Sequence, residues 1–121
     1  MLDWTERWGR LFEGLKEAAR VQSPDEGSVG RVNDLLGSVH LVQPFSWTTW
    51  QVPFPSRETI HELSLVDCIK QITRLSRADR TQEGILWGAL RSGVLLEICR
   101  VAWLQAGGGP VGTLAELEAA S

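Results

Sequence analysis

Apolar residues recur at helical spacing along most of this chain, and that pattern sets the first expectation. Trp4, Trp8, Leu11, Leu15 and Ala18 fall at i, i+4, i+7 with Phe12 beside them, while Asp3, Glu6, Arg10, Glu13 and Glu17 take the opposite face. This predicts an amphipathic helix over 2–21, with Glu6–Arg10 in the favourable i,i+4 order. The stretch QSPDEGSVG (22–30) reads as a loop, because Pro, Asp and Gly each interrupt a helix. A shorter helix is expected at about 29–42 on Val32, Leu35, Leu36 and Val39, weakened by Gly37. The β-branched VHLVQ at its end leaves a short strand as the lesser alternative.

Pro44 ends that element. Ser46 suits the N-cap of one short turn in FSWTTWQ, which would place Trp47 and Trp50 on one face. VPFPSR is expected to be extended, since each proline pushes its predecessor out of the α region. Ser64 with Asp67 three residues on opens a helix over 65–76, striped by Leu65, Ile69, Ile72 and Leu75 or Ser76. Asp79 with Gln82 caps the next helix, which buries Ile85, Leu86, Ala89 and Leu90 before Gly93 breaks it. Residues 94–105 form a helix that is apolar nearly all round and is stopped by GGGP (107–110). Thr113 with Glu116 opens a last short helix, 114–120. The expected fold is therefore all-α: a single-domain bundle of five or six helices over 1–121, with at most a minor β element near 39–54. Its parts are the N-terminal helix (1–21), the loop 22–30, a core of 31–106, and a Gly-rich stop with a short helix (107–121). Ile69, Ile72, Leu86, Leu90, Leu95, Ile98 and Trp103 are expected to be buried together.

Composition narrows the function classes. A net charge of −3 is too small to steer the chain to nucleic acid or to mimic its phosphates. No apolar run reaches the length of a membrane span. Charges from Asp3 onward argue against a secretory leader, and Cys68 and Cys99 sit inside apolar helical patterns as small hydrophobes. Cytoplasm is the expected location. Six Trp and no Tyr supply much apolar area, and their helical spacing places Trp4/Trp8 and Trp47/Trp50 in the core rather than in a ligand cage.

Catalytic chemistry is hard to place. His40 and His61 are far apart, and HELSL lacks a second histidine for zinc. The cysteines carry no nucleophile signature, and GGGPVG lacks the strand and Lys of a phosphate loop. No metal, no cofactor and no catalytic set is expected. The remaining cluster is Arg74, Arg77, Asp79, Arg80 and Glu83. Arginines at the end of one helix and acids at the start of the next both complement helix dipoles, so a helix–turn–helix corner with Arg80 paired to Glu83 or Asp79 explains most of it. The alternative is that the guanidinium forks converge on an anionic group.

Three segments together, PFSWTTW (44–50), ITRLSRADRTQEG (72–84) and SGVLLEICR (92–100), resemble an uncharacterised bacterial family, one of the domains of unknown function. Its pattern is an aromatic, Asp and Trp-x-x-Trp, then T-x-x-x-R-x-D-R-x-x-E-G, then a Gly-led apolar helix. Thr73, Arg77, Asp79, Arg80, Glu83, Gly84 and Gly93 fall on those positions, while Ser46 replaces the Asp and Thr81 an aromatic. The resemblance covers 44–105 and implies a mostly helical fold carried on bacterial chromosomes and mobile elements, with no activity attached. These readings make the chain a small non-enzymatic interaction module that binds a protein partner, or itself as a homodimer through the apolar 94–105 helix. The alternatives are an anion- or small-ligand-binding protein or enzyme using 77–83, and a mobile-element antagonist of a host defence complex.

Overall fold

A computed structural model describes residues 3–21, 26–80, 82 and 84–120, with the side chain of Glu26 outside that set. It contains six α-helices, α1 (Trp4–Ala19), α2 (Glu26–Ser38), α3 (Leu65–Ala78), α4 (Ile85–Arg91), α5 (Val94–Gln105) and α6 (Leu114–Ala119), plus a 3-10 turn at Ile60–Glu62. The fold is all-α, and no strand occurs among the described residues, so VHLVQ is not a strand. No described helix is long and apolar enough to cross a membrane.

Local chemistry sets most boundaries. Asp3, Ser64 and Thr113 each accept the backbone N–H of the residue three positions on, the N-cap geometry expected of these side chains. Helix α2 starts at Glu26, inside the segment expected to be loop, and ends at Ser38, before the expected limit of 42. Its end is closed by backbone geometry. His40 takes φ 60°, its N–H reaches the Gly37 carbonyl at 3.0 Å, and the Leu41 N–H reaches the Leu36 carbonyl at 3.1 Å. That is a Schellman closure with a non-glycine in the left-handed position, sealed by Leu36 and Leu41, both fully buried. Helix α5 ends in the same way on Gly107 (φ 64°), as the GGGP stop predicts. Helix α4 starts at Ile85, later than Asp79 and Gln82 suggest, because Gly84 takes φ 91° and turns the chain first.

One core runs through all six helices. Trp8, Leu11, Leu15, Leu36, Leu41, Ile60, Ile69, Ile72, Leu86, Leu90, Leu95 and Ile98 are buried in it. Helix α3 is central, packing on α4, α5 and α6, while α1 packs on α2, α4 and α5. At the α1–α2 contact a Cβ on Gly14 would overlap Leu35 Cδ1, so a larger residue there would require the Leu35 side chain to shift. Six of the seven predicted core residues are buried, and the exception is Trp103, which is 39% exposed. Helix α5 turns Leu95, Ile98, Cys99, Val101 and Ala102 inward and leaves Trp103 and Leu104 facing outward. A helix apolar nearly all round is thus buried mainly on one side. The thiols of Cys68 and Cys99 are buried and free of disulfide, and burial pushes both upward in pKa, Cys68 to about 12.

Candidate functional site

The segment from 39 to 63 has no regular structure except the turn at Ile60–Glu62, yet it is held tightly. Helix α3 holds it, using polar side chains on the buried face of an otherwise apolar stripe. Thr73 and Gln71 are fully buried. The Thr73 hydroxyl accepts the Gln43 N–H at 3.0 Å and donates to the Leu41 carbonyl at 3.3 Å. The Gln71 amide donates to the Pro53 carbonyl at 3.1 Å. Backbone groups of a strap without a sheet need partners, and these two side chains supply them. Gln43 extends the stitching, since its amide donates to the Gly112 carbonyl at 2.8 Å and accepts the Leu114 N–H at 2.8 Å. Arg57 donates to the Ser92 carbonyl and Gln105 to the Leu63 carbonyl, which fixes the far end.

Arg74 ties this strap to α3 most directly. Its guanidinium donates to the Val52 carbonyl at 2.6 Å and to Gln71 Oε1 at 2.6 Å, and it lies 4.6 Å from the Trp50 ring centroid. Lys70, one turn earlier, sits 5.6 Å from the Phe45 ring and 6.0 Å from Trp50, whose ring meets Phe45 edge-on at 5.6 Å. Two cations spaced i,i+4 on α3 therefore hold the aromatic hairpin of the strap. Desolvation lowers the pKa of Arg74, which stays charged, so the cation has lost part of its water shell.

Between strap and helices runs a groove of about 610 Å³, within the size range of ligand sites. One wall is Trp47, Trp50, Val52, Pro53 and Phe54. The other is Arg74, Leu75 and Ala78 of α3 with Ile85, Gly88 and Ala89 of α4. Trp47 and Trp50 are half-buried and line this wall instead of entering the core as their spacing suggests. Val52 and Phe54 are 42% and 40% exposed. Gly88 has open space where a side chain would start, so the groove's depth at α4 depends on a residue that packing does not require to be glycine.

Arg74 and Asp79 of the charged cluster singled out in the sequence make separate contacts. Arg74 enters the groove. Asp79 turns the other way, and its Oδ1 accepts the backbone N–H of Gly84 at 3.2 Å and of Leu86 at 3.1 Å. Asp79 thus caps α4 across the Gly84 turn, and it forms no ion pair with Arg77 or Arg80. Arg80 is exposed and Arg77 half-buried, and neither meets a carboxylate at ion-pair distance among the described residues. Glu83, the other expected partner of Arg80, lies outside the described residues. Among the described residues no group of His, Cys, Asp and Glu could hold a metal.

The fold is all-α, with a largely apolar groove between the strap and helices α3 and α4 and the Arg74 guanidinium in its wall. The model of a family of unknown function, DUF6508, matches residues 6–105, and the chain belongs to that family. No curated protein and no solved structure matches the chain.

Proposed function

We propose that the protein is a non-enzymatic interaction module that takes a short segment of a partner protein into the strap groove. The observation that carries this reading is the groove itself: aromatic and aliphatic walls, two exposed apolar side chains at its lip, and one partly dehydrated guanidinium. Such a site rewards an apolar anchor side chain, and Arg74 offers N–H donors beside it to a carbonyl or carboxylate of the partner. Two of its donors are already engaged, so it orients a partner without being stranded when the groove is empty. Free buried thiols support a reducing compartment such as cytoplasm. Asp79 is committed to the backbone N–H groups of Gly84 and Leu86, which leaves it out of any ligand site at that corner.

The test is affinity purification from the source cells with wild type, Gly88→Leu and Arg74→Gln. Gly88→Leu fills the groove from α4 with no neighbour to displace at the Cβ. A protein enriched by wild type, lost with Gly88→Leu and weakened with Arg74→Gln, at unchanged melting temperature of Gly88→Leu, is the expected result. Enrichment that ignores Gly88→Leu removes the groove from the interaction.

A further inference from the structure

A second groove, of about 600 Å³, lies between α1 and α5 and shares no residue with the first. Trp8, Phe12, Leu96 and Trp103 form its apolar surface. The rings interlock: Trp8 stacks on Phe12 at 6.0 Å, and Phe12 meets Trp103 edge-on at 6.1 Å. The N–H of Trp8 is already given to the Gly109 carbonyl at 3.0 Å, and its ring, 1% exposed, backs the groove from the core. Two cations, Lys16 and Arg100, line the same groove, and no acidic side chain does. Lys16 has no carboxylate at ion-pair distance among the described residues, and Arg100 has only Glu97 at 3.5 Å, an exposed contact of the weak kind.

Gly9 supplies the second observation. It stands in the middle of α1, where glycine costs helix stability relative to alanine. Nothing lies within 4 Å of where its Cβ would sit, in contrast to Gly14, whose Cβ would strike Leu35. Packing explains Gly14 and leaves Gly9 unexplained, and Gly9 lines the groove. Its missing side chain leaves the wall open.

We propose that this groove binds a small hydrophobic carboxylate, with an aromatic body against Phe12 and Trp103 and its anionic group between Lys16 and Arg100. Two cations facing an acid-free apolar groove, in a chain of net charge −3, give it a charge preference opposite to that of the chain as a whole. A body of one or two rings fits the volume, and the aromatic walls suit a flat π-face.

The experiment uses the full chain with 2-naphthoate and neutral 2-naphthamide, followed by calorimetry and by the tryptophan indole N–H resonances. Naphthoate should bind more tightly than naphthamide and shift the indole signals of Trp8 and Trp103. Lys16→Gln and Arg100→Gln should each weaken naphthoate by about threefold, the scale of an exposed ion pair, and leave naphthamide unchanged. Gly9→Leu should abolish binding of both at an unchanged or raised melting temperature. Equal affinity for the two probes, no binding at millimolar concentration, or binding that survives Gly9→Leu overturns the proposal. Sedimentation of the free protein addresses the rival occupant: a dimer that Gly9→Leu dissociates, with no naphthoate bound by wild type, assigns the groove to a second copy instead.

Discussion

The hydroxyl of Thr73 holds the Gln43 backbone N–H at 3.0 Å, joining the centre of α3 to the start of a strap thirty residues earlier in the chain. Thr73 is fully buried, and the same hydroxyl donates to Leu41, so one side chain satisfies a donor and an acceptor of the strap. Thr73→Val keeps the shape and leaves both backbone groups unpaired, at a cost of about 1–3 kcal/mol. Thr73→Ser retains the hydroxyl and should recover most of that stability. Urea denaturation of the two variants checks this, and equal losses in both would mean that the methyl group matters and the hydrogen bonds do not.

The central core should respond as an ordinary core does. Leu90 is buried between α4 and its neighbours, and Leu90→Ala should cost on the order of 2–5 kcal/mol. Trp103, read from the sequence as its companion, is 39% exposed and should behave differently. Trp103→Ala removes part of a groove wall and should cost less than Leu90→Ala in the same denaturation series.

Helix periodicity, caps and glycine stops were legible because each depends on residues a few positions apart. Asp3, Ser64 and Thr113 cap where local spacing places them, and Gly93 and Gly107 break helices where they stand. What depended on distant neighbours was not legible. The outward turn of Trp103 follows from which side of α5 meets α3, α4 and α1. The role of Gln71 and Thr73 is set by a strap whose path no periodicity encodes. The groove was missed for the same reason. Trp47 and Trp50 drew attention as a pair, and Arg74 as a charge, but only the folded strap brings Trp50 over Arg74.

His40 offers a backbone test. It occupies the left-handed region at φ 60°, where a residue with a Cβ is strained, and its ring contacts Trp4 at 5.7 Å. His40→Ala loses the ring contact and keeps the strain, whereas His40→Gly loses the contact and relieves it. The glycine variant should therefore be the more stable of the two by about 1 kcal/mol, the scale of left-handed strain. Thermal melts of both variants decide it, and an equal or lower stability for glycine would show that the α2 terminus is not strained.

The buried thiols set a pH dependence. Burial raises Cys68 from its ordinary value of 9.0 to about 12 and raises Cys99 as well. A thiol whose folded pKa lies above its unfolded value binds its proton more tightly in the native state. Its contribution is complete below about pH 9 and is lost as pH rises from there towards the folded value, because only the unfolded chain ionises. Each thiol can remove up to about 1.4 kcal/mol per pH unit in that window. Wild type should lose stability between pH 8 and 10.5 more steeply than a Cys68→Ala/Cys99→Ala variant measured alongside it. Parallel curves would place the thiols in water.

At the charged corner Asp79 has a structural role, and Arg80 is exposed with no carboxylate at ion-pair distance among the described residues. Asp79 accepts the Gly84 and Leu86 N–H groups, which belong to the start of α4 and have no intrahelical acceptor. Asp79→Ala strands both and should cost about 0.5–2 kcal/mol, the range of a lost helix cap. Asp79→Asn keeps an acceptor oxygen and should recover much of it. Arg80 is exposed, and Asp79 spends its carboxylate on the backbone instead of on a guanidinium. Arg80→Ala should therefore change stability by less than about 0.5 kcal/mol, as exposed substitutions do. A large loss with Arg80→Ala would restore the ion-paired corner, with Glu83 as the partner. A small loss there beside a clear one with Asp79→Ala makes the corner a capped turn whose arginine is free to meet solvent or a partner.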